Sequence, residues 1–161
     1  MIFRLRVPLT LMFRFAMDES LIKLPHRFPF RMIDRIIEVI PEKKAIAIKN
    51  ITGDEPYLQK GFLETPFFPT ILILEAMAQT AGLAFYSSSE QEGEALPFLV
   101  KVDKFRIKKR ATPGEQLIIE AEVEQIFSNF SKVRVQVRTQ KERVARGILF
   151  LAKAPLKDKT L

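Results

Sequence analysis

The stretch FPTILILEAMAQTAG, residues Phe68–Gly82, is apolar on nearly every side of a helix and carries one carboxylate, Glu75, near its middle. Pro69 suits the first turn of a helix, because its missing N–H would have no partner there. The apolar positions leave no polar face, which predicts a helix from Pro69 to about Tyr86 that is wrapped by protein on all sides. A glutamate in such a helix suggests a function, because an unpaired buried carboxylate is costly.

Segments on both sides of this helix alternate between apolar and polar residues, as β-strands do. Before it, RIIEVIPEKKAIAIKNIT predicts two strands joined by a turn at Pro41–Lys44. After the polar loop SSSEQEGEAL, four strand-like runs follow, PFLVKVDKFRI, QLIIEAEVEQIF, SKVRVQVRTQ and RVARGILFLAK. This order predicts an α+β protein with the hot-dog fold, a curved antiparallel sheet wrapped around one long buried central helix. We expect two copies to dimerise through the sheet, which closes its open edge.

The length and composition fit a single intracellular domain. We expect residues 18–161 to form one hot-dog domain, and residues 1–17 to be an extension that is disordered or precedes the true start. The chain has no cysteine and one histidine, His26, which excludes disulfides, thiolate or multi-histidine metal sites and a cysteine nucleophile. The absence of cysteine favours an intracellular, cytoplasmic location, and no uncharged apolar run is long enough for a transmembrane segment.

Glu75 and the start of its helix form a candidate site. A carboxyl group among apolar side chains is more easily protonated, so Glu75 would serve as a general acid or hydrogen-bond donor. Gln79 lies one turn further on the same face and would hold Glu75 in place. The free N–H groups of Thr70 and Ile71 would bind a carbonyl oxygen or oxyanion, because the helix dipole is positive there. The alternatives are a core glutamate satisfied by Gln79 and a helix end capped by water.

Several motifs resemble one known family. LPHRFPFRMIDRI, AIKNITGDEPYLQKGF, PFFPTILILEAMAQTAG and FLVKVDKFRIKKRATPGEQLIIEAEV are similar, in order and spacing, to the bacterial 3-hydroxyacyl-(acyl carrier protein) dehydratases (FabZ-like) of the hot-dog fold. The resemblance covers residues 24 to about 153. It implies conversion of 3-hydroxyacyl thioesters to 2-enoyl thioesters in fatty-acid synthesis, without a cofactor or metal, by dimers or trimers of dimers.

The resemblance also implies a site made by two subunits, and one residue of it is missing. In the family, the glutamate that Glu75 matches faces a loop histidine of the other subunit, which removes the C2 proton. The family loop reads Q-G-H-F-P, whereas this chain has Gly61 where the histidine belongs. His26 lies in a motif that relatives with the loop histidine also keep, so it would be structural, although its recruitment into the site stays open. The expected substrate contacts are Gln79, Thr70, Ile71, Phe62 and Phe68.

Three functions therefore remain open. The first is a binding protein that holds acyl thioesters in a tunnel beside the helix, with little or no dehydratase activity alone. The second is an active enzyme, a dehydratase with another base or a thioesterase, in which Glu75 acts as acid or base. The third is a mixed dimer, in which this chain lends Glu75 to a histidine-bearing partner dehydratase.

The net charge of +7 indicates an acidic partner. An acyl carrier protein is acidic, so a basic rim near the tunnel mouth would dock it; a coenzyme A thioester or a merely solvated face is the alternative. Nucleic-acid binding is not expected, because the chain has no tryptophan and few tyrosines to stack on bases. The candidate docking residues are Lys101, Lys104, Arg106, Lys108, Lys109 and Arg110.

Overall fold

A six-stranded antiparallel sheet and one packed helix dominate the computed structural model, which describes residues 24–60, 66–85 and 95–155. The predictions for residues 1–17 and Tyr86 lie outside these ranges. The elements are β1 (Arg35–Ile40), β2 (Lys44–Asn50), β3 (Gln59–Lys60), β4 (Pro66–Phe67), α1 (Thr70–Phe85), β5 (Ala95–Ile107), β6 (Gln116–Phe127), β7 (Phe130–Arg138) and β8 (Arg143–Pro155).

The strand order is β1-β2-β6-β7-β8-β5, so β1 and β5 are the two edges of the sheet. The chain leaves β2, forms α1 and enters the sheet again at the far edge. It then turns back through β6, which pairs with β2. This topology confirms the predicted hot-dog architecture. A short β3–β4 pair also lies between β2 and α1.

The core lies between α1 and the inner face of the sheet. Along β7, Val133, Val135 and Val137 are fully buried, while the alternate positions Arg134 and Arg138 are exposed. The helix packs mainly against β6 and β2. Small buried side chains let the helix approach these two strands closely, at Ala45, Ala47 and Ala121.

Within one chain the helix is covered on one side only. Ile71 is 65% exposed, and Leu74, Glu75 and Ala78 are partly exposed. Their spacing of three and four residues places them on one face, opposite the face that packs on the sheet. The sheet therefore covers one side of α1 and leaves an apolar stripe, with Glu75 in it, open.

Candidate functional site

Glu75 lies on the open face of α1 and not inside the core. Its side chain is 38% exposed, so the apolar enclosure expected from the sequence is not present in the single chain. The carboxylate can therefore be reached from outside, as a residue that meets a ligand or another subunit must be. The apolar side chains of the stripe surround it along the helix.

Gln79 holds Glu75 in place, as its position one turn further along the helix predicted. Its Nε2 atom donates hydrogen bonds to Glu75 Oε1 at 2.9 Å and to the carbonyl oxygen of Phe30 at 2.6 Å. Its Oε1 atom accepts a hydrogen bond from the backbone N–H of Met32 at 2.9 Å. Because Gln79 is 2% exposed, these bonds form out of water and fix the orientation of the carboxylate.

The same network brings His26 to the site. The segment before β1 crosses the open side of α1, and His26 Nε2 lies 3.7 Å from Glu75 Oε1. The two side chains are 35% and 38% exposed. His26 Nδ1 is enclosed and makes no hydrogen bond. The sequence left the recruitment of His26 into the site open, because the two residues belong to separate elements and no periodicity relates them.

The segment that carries His26 is anchored at several points. The hydroxyl of Tyr57 donates to the carbonyl oxygen of Pro29 at 2.7 Å. A turn is closed by the N–H groups of Phe30 and Arg31, which both donate to the carbonyl oxygen of Arg27. Immediately after this turn, Met32 and the next residue are buried in the core. The backbone around His26 is therefore held by the loop that carries Tyr57 and by the core that buries Met32.

The other expected substrate contacts occupy different environments. Leu72 and Ile73 donate their N–H groups to the carbonyl oxygen of Pro69, whereas the first-turn amides of Thr70 and Ile71 have no acceptor among the described residues. The side chain of Ile71 continues the open stripe beside Glu75.

Two further expected contacts are not among the residues described on the open face. Phe68, which is 1% exposed, belongs to the core. Gly61 and Phe62 lie outside the described residues.

A buried cation supports the loop that precedes the helix. Lys49, 6% exposed, projects from the inner face of β2. Its Nζ atom lies 2.6 Å from Glu55 Oε1 and 3.2 Å from Asp34 Oδ1. It also lies 5.7 Å from the centre of the Phe68 ring. Two carboxylates and an aromatic face thus compensate the buried charge and tie this loop to β2.

The six predicted docking cations have different surroundings. Lys101 and Arg110 lie over the rings of Phe150 and Phe67. Lys109 binds Glu115, with 2.5 Å between Nζ and Oε1. Its neighbours Lys104, Arg106 and Lys108 remain free of ion pairs among the described residues.

Ion pairs shift the pKa values of the carboxyl groups around these cations. Burial by itself would raise the pKa of Glu115, but hydrogen bonds from Lys109 and Thr112 outweigh it and hold that pKa below its usual range. Hydrogen bonding to Glu115 is the main cause that raises the pKa of Lys109. The pKa of Glu124 is lowered by Lys132 and by Arg134. Lys109, Glu115 and Glu124 therefore remain charged near neutral pH.

A basic groove of about 530 Å³ lies on the outer face of the sheet, across β5, β8 and β7. The outward positions of these strands point away from α1, so the sheet separates the groove from Glu75 of the same chain. Sequence reasoning identified its β5 members but missed those of β7 and β8, which lie far away in the chain. The cations that line the groove are Lys104, Arg106, Arg134, Arg143 and Arg146.

The fold and the site define a class. An antiparallel sheet of this order packed on one helix, with a carboxylate on the helix, is a hot-dog protein with a polar site beside its central helix. Within the described parts of the chain, no helix has the length and apolar content needed to cross a membrane. The same residues contain no cluster of three or more histidine or carboxylate side chains suited to a metal ion.

Comparison with known proteins identifies the family. The FabA-like domain family matches residues 24–148, and the chain belongs to this family. It is 38% identical over 135 residues to the 3-hydroxyacyl-[acyl-carrier-protein] dehydratase FabZ of Clostridioides difficile, an alignment that covers 84% of this chain and 94% of that protein. It is 42% identical over 129 residues to FabZ of Caldicellulosiruptor saccharolyticus, covering 80% and 91% of the two chains.

A solved structure shares the fold at lower sequence similarity. The dehydratase heterocomplex ApeI:P from Xenorhabdus doucetiae contains a chain with a TM-score of 0.66 and 18% identity to this one. The match covers 83% of this chain and 89% of that chain. The protein is thus a FabZ-like homologue of the 3-hydroxyacyl-(acyl carrier protein) dehydratases, as its motifs predicted.

Proposed function

We propose that this protein binds 3-hydroxyacyl thioesters on the open face of α1, with Glu75 hydrogen-bonded to the 3-hydroxyl group. The observation that carries the proposal is the carboxylate of Glu75, which Gln79 orients within an apolar stripe that remains open. An acyl chain would lie along the stripe, and the oriented carboxyl group would distinguish a hydroxylated chain from a plain one. With Gly61 in place of the loop histidine, the two-subunit acid and base pair of the family is incomplete.

The test compares two inert ligands and two proteins. Thioether analogues of 3-hydroxyacyl- and acyl-pantetheine, which cannot be cleaved or dehydrated, are titrated by calorimetry into wild type and Glu75→Leu. We expect the substitution to weaken the hydroxylated ligand about tenfold, the equivalent of one hydrogen bond, and to leave the plain acyl ligand within about twofold. If neither ligand binds wild type, or if both weaken equally, the proposal is wrong.

We further propose that an acidic acyl carrier protein docks on the basic groove. Four of its cations, Lys104, Arg106, Arg143 and Arg146, have no ion pair among the described residues, so their charge is available to a partner. Among the residues that the structure describes, no aromatic ring lines the groove, which disfavours stacking of nucleic-acid bases. Charge reversal of Arg146 to Glu should therefore weaken carrier binding by about tenfold or more at low salt. The matched control is Arg35→Glu, the same change at the opposite sheet edge, which should have little effect.

A second candidate function is a subunit of a mixed dimer with a histidine-bearing dehydratase. The open stripe around Glu75 favours it, because a partner subunit would cover that surface and supply a base. The fold similarity to a chain of a dehydratase heterocomplex supports the same idea. The test mixes this protein with a purified FabZ dehydratase in native mass spectrometry. A heterodimer whose turnover drops with Glu75→Gln in this chain supports the candidate, and separate homodimers contradict it.

A further inference from the structure

We propose that His26 is the base of the Glu75 site, acting within the same chain in place of the histidine absent at position 61. This inference rests on the proposed function, because it requires a thioester at Glu75. His26 Nε2 lies 3.7 Å from Glu75 Oε1, which is close enough for both groups to reach adjacent carbon atoms of one acyl chain. His26 is the one histidine of the whole sequence, so the two copies of His26 are the only imidazoles of a homodimer.

The ring presents one usable nitrogen to a ligand. Nδ1 is enclosed and has no hydrogen-bond partner, whereas Nε2 faces Glu75 on a side chain that is 35% exposed. Nε2 is therefore the atom that would take a proton from a bound molecule. The exposed rings of Phe28 and Phe30, 88% and 66% accessible, belong to the same segment and extend the apolar surface beside the pair.

Gln79 couples the two functional groups. It donates to Glu75 Oε1 and to the Phe30 carbonyl, and it accepts from the Met32 amide, so one buried side chain positions both the carboxylate and the segment that bears His26. A base and an acid held by one side chain are preorganised, which reduces the entropy cost of bringing them to the substrate. The usual separation of acid and base between two subunits is unnecessary with this arrangement.

The reaction step is a β-elimination of water. Neutral His26 takes the proton from C2 of the 3-hydroxyacyl thioester, and the electrons of that C–H bond form the C2–C3 double bond. The C3–O bond breaks as the leaving hydroxyl takes a proton from the carboxyl group of Glu75 and departs as water. Proton transfer from the imidazolium to the carboxylate restores both groups, so no cofactor or further reactant is consumed.

The experiment uses the full-length protein alone with a 3-hydroxyacyl-pantetheine thioester in deuterated buffer. Mass spectrometry follows loss of water and uptake of deuterium at C2. We expect slow turnover by wild type, and a fall of about 10²–10⁴-fold in kcat for His26→Gln. Affinity for the inert 3-hydroxyacyl analogue should stay within about threefold in that variant. Arg27→Gln, the adjacent exposed residue of the same turn, is the matched control and should leave kcat unchanged.

Chemical rescue separates a catalytic from a structural role. In His26→Ala, free imidazole in the buffer should restore part of the C2 exchange, which it could not do if the histidine only shaped the segment. Wild type that binds the inert analogue but shows neither water loss nor C2 exchange would overturn the role of His26 and leave the proposed function intact. Turnover unaffected by His26→Gln would do the same, whereas failure to bind the analogue would remove both.

Discussion

Gln79 donates a hydrogen bond to Glu75 from one helical turn away, with 2.9 Å between Nε2 and Oε1. The same buried amide group bonds the backbone of Phe30 and Met32, which precede the first strand. Gln79 thus has two roles in one place: it orients a candidate functional carboxylate and attaches the segment that covers part of the open helix face. Removing it should affect both stability and the site.

Replacing Gln79 with Leu should lower the free energy of unfolding by about 2–3 kcal/mol, because the Met32 amide and the Phe30 carbonyl lose their partner where little water can replace it. Urea unfolding at one fixed protein concentration measures this. The control is Gln136→Leu on the outer face, which loses one partly exposed hydrogen bond to Glu120 and should cost less than about 1 kcal/mol. Equal losses in the two variants would contradict the role of the buried network.

The regular elements were predictable because local pattern determines them. The all-apolar run after Pro69 predicted a helix where Thr70–Phe85 is helical, and the alternating runs predicted the six strands of the main sheet. In β5, Phe105 lies against Gly147 of β8, which Met77 of the helix also approaches, so this part of the strand has its apolar side toward the helix. Periodicity is enough here, because each strand has one face on the helix.

Contacts between distant segments were less predictable. Nothing in the local pattern relates His26 to Glu75, or joins Arg134 and Arg146 to the basic run of β5. These residues meet only through strand order and the path of the segment before β1. The open face of α1 was missed for a related reason: an apolar pattern shows that a surface is covered, but not whether the same chain covers it.

Replacing Lys49 with Met should destabilise the protein by about 2–4 kcal/mol, because Glu55 and Asp34 would then lie close together without their shared cation. The methionine would keep the packing against Phe68, so the loss of stability would come from the missing charge more than from a change of side-chain volume. Thermal unfolding followed by circular dichroism measures the change. Lys44→Met on the same strand, with its cation 3.8 Å from Glu38, is the control and should cost less than about 1 kcal/mol. A Lys49 variant as stable as this control would refute the structural role of the buried charge.

We expect two copies to associate along β5, the edge strand next to β8. This edge exposes Phe98, Leu99 and Val100, with 48%, 38% and 56% of their surfaces accessible. Within the described ranges of the chain, no strand pairs with its outer side. Val100→Glu would place like charges near each other across a twofold interface and should convert a dimer to a monomer. Light scattering after size exclusion gives the mass directly. The control Phe127→Glu alters a side chain that is 76% exposed on the β6–β7 hairpin and should leave the dimer intact, whereas a dimer that survives Val100→Glu would place the interface elsewhere.

The ion pair between Glu115 and Lys109 should make the stability of the fold depend on pH in acid solution. Glu115 accepts hydrogen bonds from Lys109 Nζ at 2.5 Å and from the Thr112 amide at 2.9 Å, which together hold its pKa below the ordinary value of 4.5 despite the opposing effect of burial.

Because the folded pKa is the lower one, the charged carboxylate stabilises the fold fully above pH 4.5, and this contribution disappears as the pH falls through the folded value. Glu115→Gln should therefore lower the free energy of unfolding by about 1–2 kcal/mol at pH 7. The difference in free energy of unfolding between this variant and wild type should disappear in strongly acidic buffer. Urea unfolding of both proteins at a series of pH values measures it, and carboxyl groups common to both cancel in the difference. The control is Glu142→Gln. In wild type the Glu142 carboxylate lies 3.5 Å from the same lysine and is 46% exposed, so solvent screens this pair. The control should therefore show a much smaller difference in stability from wild type. If the stability difference of Glu115→Gln stays unchanged in acid, the variant loses packing and not the ion pair with Lys109.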